Sequence, residues 1–230
     1  MDFSKLEEII GHQFQNQKLL KESLTHRSYL NENPSWGVPH NERLEFLGDA
    51  VLELVVSEYL FKKYPDYNEG QLTSVRAALV NYQMLGKSAK NMELDKFVLL
   101  SRGEAKDTGK AREVILANAI ESLIGAIYLD AGYSIIQSFI EKVILSNLQD
   151  VIENGLYRDP KSLLQEIIQE KLKITPNYKV LGEIGPDHKK IFKVGVFFDD
   201  DLAAEGEGAS KQEAEVEAAK NALKTLATSD

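Results

Sequence analysis

Cysteine is absent from the 230 residues, which excludes a disulfide framework, thiolate metal sites and a cysteine nucleophile. Histidine is scarce: His12, His26, His40 and His188 are the only four, and no two stand at the i, i+4 spacing of a helical zinc site. An excess of positive charge is lacking too. Lysine and arginine number 27 against 36 aspartates and glutamates, for a net charge of −9. That balance weighs against a nucleic-acid partner, because phosphate binding rests on basic side chains. The deficit is spread along the chain, since Arg158 to Asp230 alone holds 11 basic and 14 acidic residues. No uncharged run approaches the ~18 residues that span a bilayer. The first ten residues, MDFSKLEEII, carry acids and no apolar core of signal-peptide length. The expectation is a cytoplasmic protein with no membrane partner.

What is present is ordinary globular composition, 43% hydrophobic and 27% charged. Up to about Leu156 the apolar spacing is helical throughout, and nothing alternates at period two over a useful length. Gly11 reads as a helix C-cap and Asn16 as an N-cap. The stretch Tyr29–His40, with Asn33, Pro34, Gly37 and Pro39, reads as a loop. A long helix follows over 41–63, stopped by Pro65, and further helices are expected over 71–80, 82–92, 113–130 and 134–147. After Asn154-Gly155 the pattern changes. An amphipathic helix over 161–171 precedes three extended segments, 178–183, 190–198 and 202–207, and a closing helix over 210–226. The expected architecture is an all-α domain over 1–156 and a small α-β-β-β-α domain over 157–230. Gly86-Lys87-Ser88 imitates the tail of a phosphate-binding loop, but Asn81 stands where the upstream glycine belongs.

The chemistry is densest in HNERLEFLGDAVLELVV, His40 to Val56. Glu42, Glu45 and Asp49 lie at i, i+3 and i+7, which at about 100° per residue places them within an arc of roughly 60°. Stacked like charges repel, and more so when desolvated. A second helix, REVILANAIESLIGAIYLD, carries Asn118 and Glu121 at i, i+3 among apolar neighbours, where an unpartnered carboxylate is costly. If the two helices face each other, Glu45, Asp49, Asn118 and Glu121 converge as hard oxygen donors. Such a set suits Mg²⁺ or Mn²⁺, which lowers the pKa of a bound water and orients it toward a phosphodiester. The plainer alternative is a solvated acidic face with Glu121 held by hydrogen bonds.

NERLEFLGD followed by ESLIGAIYLD resembles the signature of bacterial ribonuclease III, and NEGQLTSVRAALVN (Asn68–Asn81) and the α-β-β-β-α tail continue the likeness over nearly the whole chain. The resemblance implies a Mg²⁺-dependent, double-strand-specific endoribonuclease with an all-α domain that dimerises and a double-stranded RNA-binding domain. By position it makes Glu45, Asn118 and Glu121 metal ligands and places Asp49 and Glu121 at the catalytic centre. Glu42 and Glu69 become supporting acidic positions in a dimeric cleavage valley. Well-known members carry aspartate at position 118. Asparagine still offers an oxygen but no charge, so a weaker metal site is expected.

The resemblance also implies three RNA-facing surfaces in the second domain, reading duplex shape through 2′-hydroxyls and phosphates. They are Ser162, Gln165 and Glu166 on its first helix; His188, Lys189 and Lys190 in a strand-connecting loop; and Ser210, Lys211 and unpaired backbone N–H groups at the start of the last helix. The usual pair of adjacent bases at that helix start is reduced here to Lys211 alone, followed by Gln212 and Glu213. Products with 5′-phosphate and 3′-hydroxyl ends are implied, with duties in processing ribosomal RNA precursors and structured messages. The rival reading is a non-catalytic double-stranded RNA-binding protein that retains the fold, supported only by Asn118.

Overall fold

The computed structural model describes residues 3–186 and 190–227, and the chain divides into two compact units, Met1–Tyr157 and Arg158–Asp230. Nine helices are described in the first unit: α1 (Ser4–Ile10), α2 (Gln17–Ser23), α3 (Arg27–Glu32), α4 (Glu42–Lys63), α5 (Glu69–Val80), α6 (Tyr82–Asn91), α7 (Lys110–Ala131), α8 (Tyr133–Val143) and α9 (Leu148–Glu153). Four of them, α2, α3, α5 and α6, start on a polar side chain that accepts a backbone N–H. Asn68 accepts the Gln71 N–H while Gln71 reaches back to the Asn68 N–H, a capping box that starts α5. Asn81 accepts from the Met84 N–H and starts α6.

α7 is the axis of this unit. Leu116, Ile120, Leu123, Ile124 and Ile127 are fully buried, packed against α2, α4, α6 and α8. By length and composition alone, α7 is apolar enough to cross a bilayer. Its large apolar residues are mostly buried against neighbouring helices, with Val114 and Leu129 left exposed. From α4 come Leu52, Val55, Val56 and Leu60, all buried in the same core.

Two expectations need correction. Tyr29 to Glu32 is helical rather than loop, because the His26 ring accepts from the Ser28 N–H and so caps α3. Histidine is outside the usual capping set, and composition did not reveal it. The helix expected over 134–147 stops at Val143, continues as a 3-10 turn over Leu145–Asn147 and resumes as α9. There the Asn147 side-chain amide donates to the Ile144 carbonyl at 3.1 Å and to Ser88 Oγ at 3.2 Å, a side-chain competitor to the helical ladder.

The second unit is α10 (Pro160–Leu172), β1 (Asn177–Ile184), β2 (Ile191–Phe198), β3 (Asp201–Gly208) and α11 (Lys211–Ala227). The strands form an antiparallel sheet in the order β1-β2-β3. β2 and β3 are joined through Asp199, whose φ of 56° is a left-handed conformation that aspartate tolerates. Leu164 and Ile168 of α10 and Ala218, Ala219 and Ala222 of α11 pack with Val196 of the sheet. The small α11 residues let the helix lie close on β3: a Cβ at Gly206 would sit 2.2 Å from the Ala218 nitrogen.

Candidate active site and RNA-binding face

The acidic stripe of α4 meets α7 because two glycines let the backbones touch. A Cβ on Gly48 would lie 1.8 Å from the Glu121 carbonyl oxygen, and one on Gly125 would lie 2.3 Å from the Leu44 carbonyl oxygen. No other residue fits either position without the helices moving. The approach is locked at the start of α4, where buried Ser122 donates to the Asn41 carbonyl at 3.3 Å and the Asn41 N–H donates to Thr25 at 2.9 Å. Mid-helix glycine costs about 1 kcal/mol against alanine, and here that cost brings two helices into backbone contact.

The crossing couples the carboxylates. Burial, followed by the charges of Asp49 and Glu45, pushes Glu121 up to about 8. Burial, then Glu42 and Asp49, raises Glu45 as well. Asp49 is exposed, and Asn118 is half-buried one turn before Glu121 on α7. Among the described residues no three Asp, Glu or His side chains are drawn into one closed metal-binding group. The donor chemistry still fits a hard divalent cation. Carboxylates that resist joint ionisation are relieved by positive charge as they are by a proton, and Mg²⁺ keeps several waters instead of requiring a complete protein cage.

Glu42 and Glu69 are placed differently. Glu42 lies 3.5 Å from Arg27, which opens α3, and 3.8 Å from His40 in the loop before α4, so the first acid of the stripe has basic neighbours. Glu69 opens α5 and is not among the groups that act on Glu121. It lines a recess of about 610 Å³ with Leu54, Leu60, Phe61, Leu72 and Arg76. On α4, Phe46 is 81% exposed, Leu54 57% and Phe61 72%. Sequence reasoning missed this apolar stripe and the two contact glycines. A lone glycine inside each helical pattern was the available signal for the second.

In the second unit Ser162, Gln165 and Glu166 share the exposed side of α10, and Ser162 Oγ donates to the capping Asp159 at 2.9 Å. His188 and Lys189 lie outside the described residues. Lys190 pairs with Glu183 at 2.9 Å, which holds that carboxyl below its usual range. At the start of α11 the expectation of unpaired N–H groups is corrected in part. Ser210 Oγ accepts from the Glu213 N–H at 3.1 Å, and the Glu213 carboxylate accepts from the Ala209 N–H at 3.0 Å. The residues close their own helix terminus. The Lys211 ammonium lies 5.8 Å from the Phe192 ring centroid.

Comparison with known proteins falls on both units. Residues 16–148 match a family model described as ribonuclease-III-like, and residues 160–226 match the double-stranded RNA binding motif. The chain is 47% identical over 221 residues to ribonuclease 3 of Carboxydothermus hydrogenoformans, covering 96% of this chain and 94% of the relative. Ribonuclease 3 of Nitratiruptor sp. is 44% identical over 222 residues, covering 96% of each. A solved nuclease domain of ribonuclease III from Campylobacter jejuni, described as flexible in a region involved in dimer formation, aligns at a TM-score of 0.58. It is 42% identical, covering 64% of this chain and 98% of that one. With two coupled acidic helices in one unit and an RNA-binding fold in the other, the chain belongs to the ribonuclease III family, endoribonucleases of double-stranded RNA that require a divalent metal.

Proposed function

We propose that the cation is Mg²⁺, with Mn²⁺ an effective substitute, held by Glu45, Asn118 and Glu121. When bound, it supplies positive charge against the scissile phosphate and acidifies a coordinated water. Glu45 and Glu121 contribute the charge that attracts it, and Asn118 contributes an oxygen without charge. Asp49, exposed beside them, orients the attacking water by accepting its hydrogen bond, so that phosphorus is approached in line. The products carry 5′-phosphate and 3′-hydroxyl ends. The observation that carries this reading is the α4–α7 backbone contact at Gly48 and Gly125, which brings the turns bearing Glu45 and Asp49 against the turn bearing Glu121.

We also propose a homodimer. A two-fold interface must be self-complementary, and one face of α4 offers both halves: protruding Phe46, and the recess between Leu54, Phe61 and Leu72. A second copy seated there covers the apolar stripe and presents one carboxylate set to each strand of a duplex. That the Campylobacter nuclease domain has a region involved in dimer formation supports a dimer here, without locating its interface. The proposed setting is the cytoplasm, with ribosomal RNA precursors and structured messages as substrates.

Cleavage of a long RNA duplex tests the metal assignment. The wild-type chain is expected to cut with Mg²⁺ and to stop in chelator, and Glu121→Gln is expected to bind duplex without cutting. Cutting that persists in chelator, or in Glu121→Gln, overturns the assignment. Binding by the wild type with no products in either Mg²⁺ or Mn²⁺ returns the non-catalytic reading.

A further inference from the structure

The start of α11 is where the RNA-binding reading brings phosphates, and there the chain has placed a carboxylate of its own. Glu213 accepts the Ala209 N–H at 3.0 Å, and its own N–H is taken by Ser210 Oγ at 3.1 Å. The positive end of the helix dipole is thereby partly neutralised from within. Beside it, Glu207, Glu213 and Glu217 line a recess of about 510 Å³ with Ser210, Gln212 and Lys220. Lys220 is drawn to Glu217 at 3.4 Å. Cations around this face are similarly engaged, Lys161 with Glu215 at 2.5 Å and Lys190 with Glu183 at 2.9 Å. Gln212 stands where a second base would oppose Glu213.

From this geometry we infer that Glu213 limits affinity for duplex RNA by competing, as a built-in anion, with the phosphate that the start of α11 would receive. The inference rests on the RNA-binding reading of this face. To seat a phosphate, the duplex must displace the carboxylate from the helix terminus or tolerate its charge nearby. Either cost is electrostatic, so it is largest at low salt, where surface charges are least screened. Glu213 is a specificity-setting residue in this sense. It penalises ligands that offer only phosphate and leaves the balance to ones that also engage α10.

The test is equilibrium binding of a synthetic RNA duplex of about 20 base pairs, longer than the roughly 16 such a domain spans. It uses the full-length chain with divalent cations chelated so that the duplex stays intact. Glu213→Gln keeps an oxygen for the Ala209 N–H and removes the charge. It is expected to bind about two- to fivefold more tightly at low salt, the range of a charge at a helix terminus, with the gain shrinking as salt rises. Glu213→Asp, still charged but too short to reach Ala209, is expected to bind no more tightly than wild type. Asp200→Asn, in the β2–β3 turn at the end of β3 opposite the start of α11, makes the same change in net charge and is expected to leave binding unchanged. A Glu213→Gln chain that binds no more tightly, or an Asp200→Asn chain that gains as much, overturns the inference. If wild type and Glu213→Gln both fail to bind, the RNA-binding reading of the face fails with it.

Discussion

Glu121 carries the largest electrostatic burden in the catalytic unit, and its titration exposes it to measurement. In the unfolded chain it ionises near the ordinary value of 4.5, whereas in the fold it holds its proton to about 8. Between those values folding takes up a proton, so stability falls as pH rises and levels off above 8. In chelator, Glu121→Gln should therefore melt at a higher temperature than wild type at pH 8.5, and the two should converge at pH 4.5 and below. Mg²⁺ should raise the wild-type midpoint at pH 8.5 and do less for the variant. A gap of equal size at both pH values would show that the side chain matters through packing alone. Asn118→Asp tests the neighbouring position: a fourth carboxylate raises charge density, so Mg²⁺ titration of cleavage should saturate at lower concentration. Unchanged activity at every concentration would remove Asn118 from the site. Residues of this kind were legible because the spacing of Glu42, Glu45 and Asp49 follows helical geometry. The contacts of Glu42 with Arg27 and His40 were not, since Arg27 opens the short helix α3 that composition did not reveal and His40 ends a loop whose path no periodicity encodes.

At the scale of elements, the site exists because α4 and α7 cross at glycine. Gly125→Ala would drive a Cβ to 2.3 Å from the Leu44 carbonyl, a collision with backbone that no rotamer change relieves. Overpacking of this sort costs about 1–3 kcal/mol and sometimes more. Urea unfolding should register that loss, and cleavage should fall further than stability because the shift separates Glu45 and Asp49 from Glu121. A variant with wild-type stability and cleavage would show that the helices do not depend on this contact. The long helices and the α-β-β-β-α order were readable from apolar spacing, because burial imposes a period on each element. The cap of α3 and the break after α8 were not, because His26 and Asn147 act through particular hydrogen bonds that their residue types do not announce.

For the molecule as a whole, a net charge of −9 weighs against an RNA partner only while charges are counted without their positions. In the second unit Lys161–Glu215, Lys190–Glu183 and Lys193–Glu205 are ion pairs within 3 Å, so three of its 14 acidic residues are answered locally. In the first unit the acids collect where a cation relieves them. What composition cannot convey is assembly, because a protruding Phe46 and a recess beside Phe61 become one surface only when α4 is folded. A phenyl ring 81% exposed is costly in water, and burying an aromatic ring in an apolar recess recovers about 1.5–3 kcal/mol. In the proposed dimer a two-fold operator would double that gain, each copy contributing one ring and one recess. Phe46→Ala should therefore shift the chain from dimer to monomer, as read by sedimentation equilibrium, without lowering its helical content. Each separated copy retains its carboxylates and its RNA-binding unit, so duplex binding should persist in weakened form. Paired cleavage of both strands should be lost, leaving nicks at most. A Phe46→Ala chain that sediments as a dimer and cuts both strands would place the interface elsewhere on the molecule.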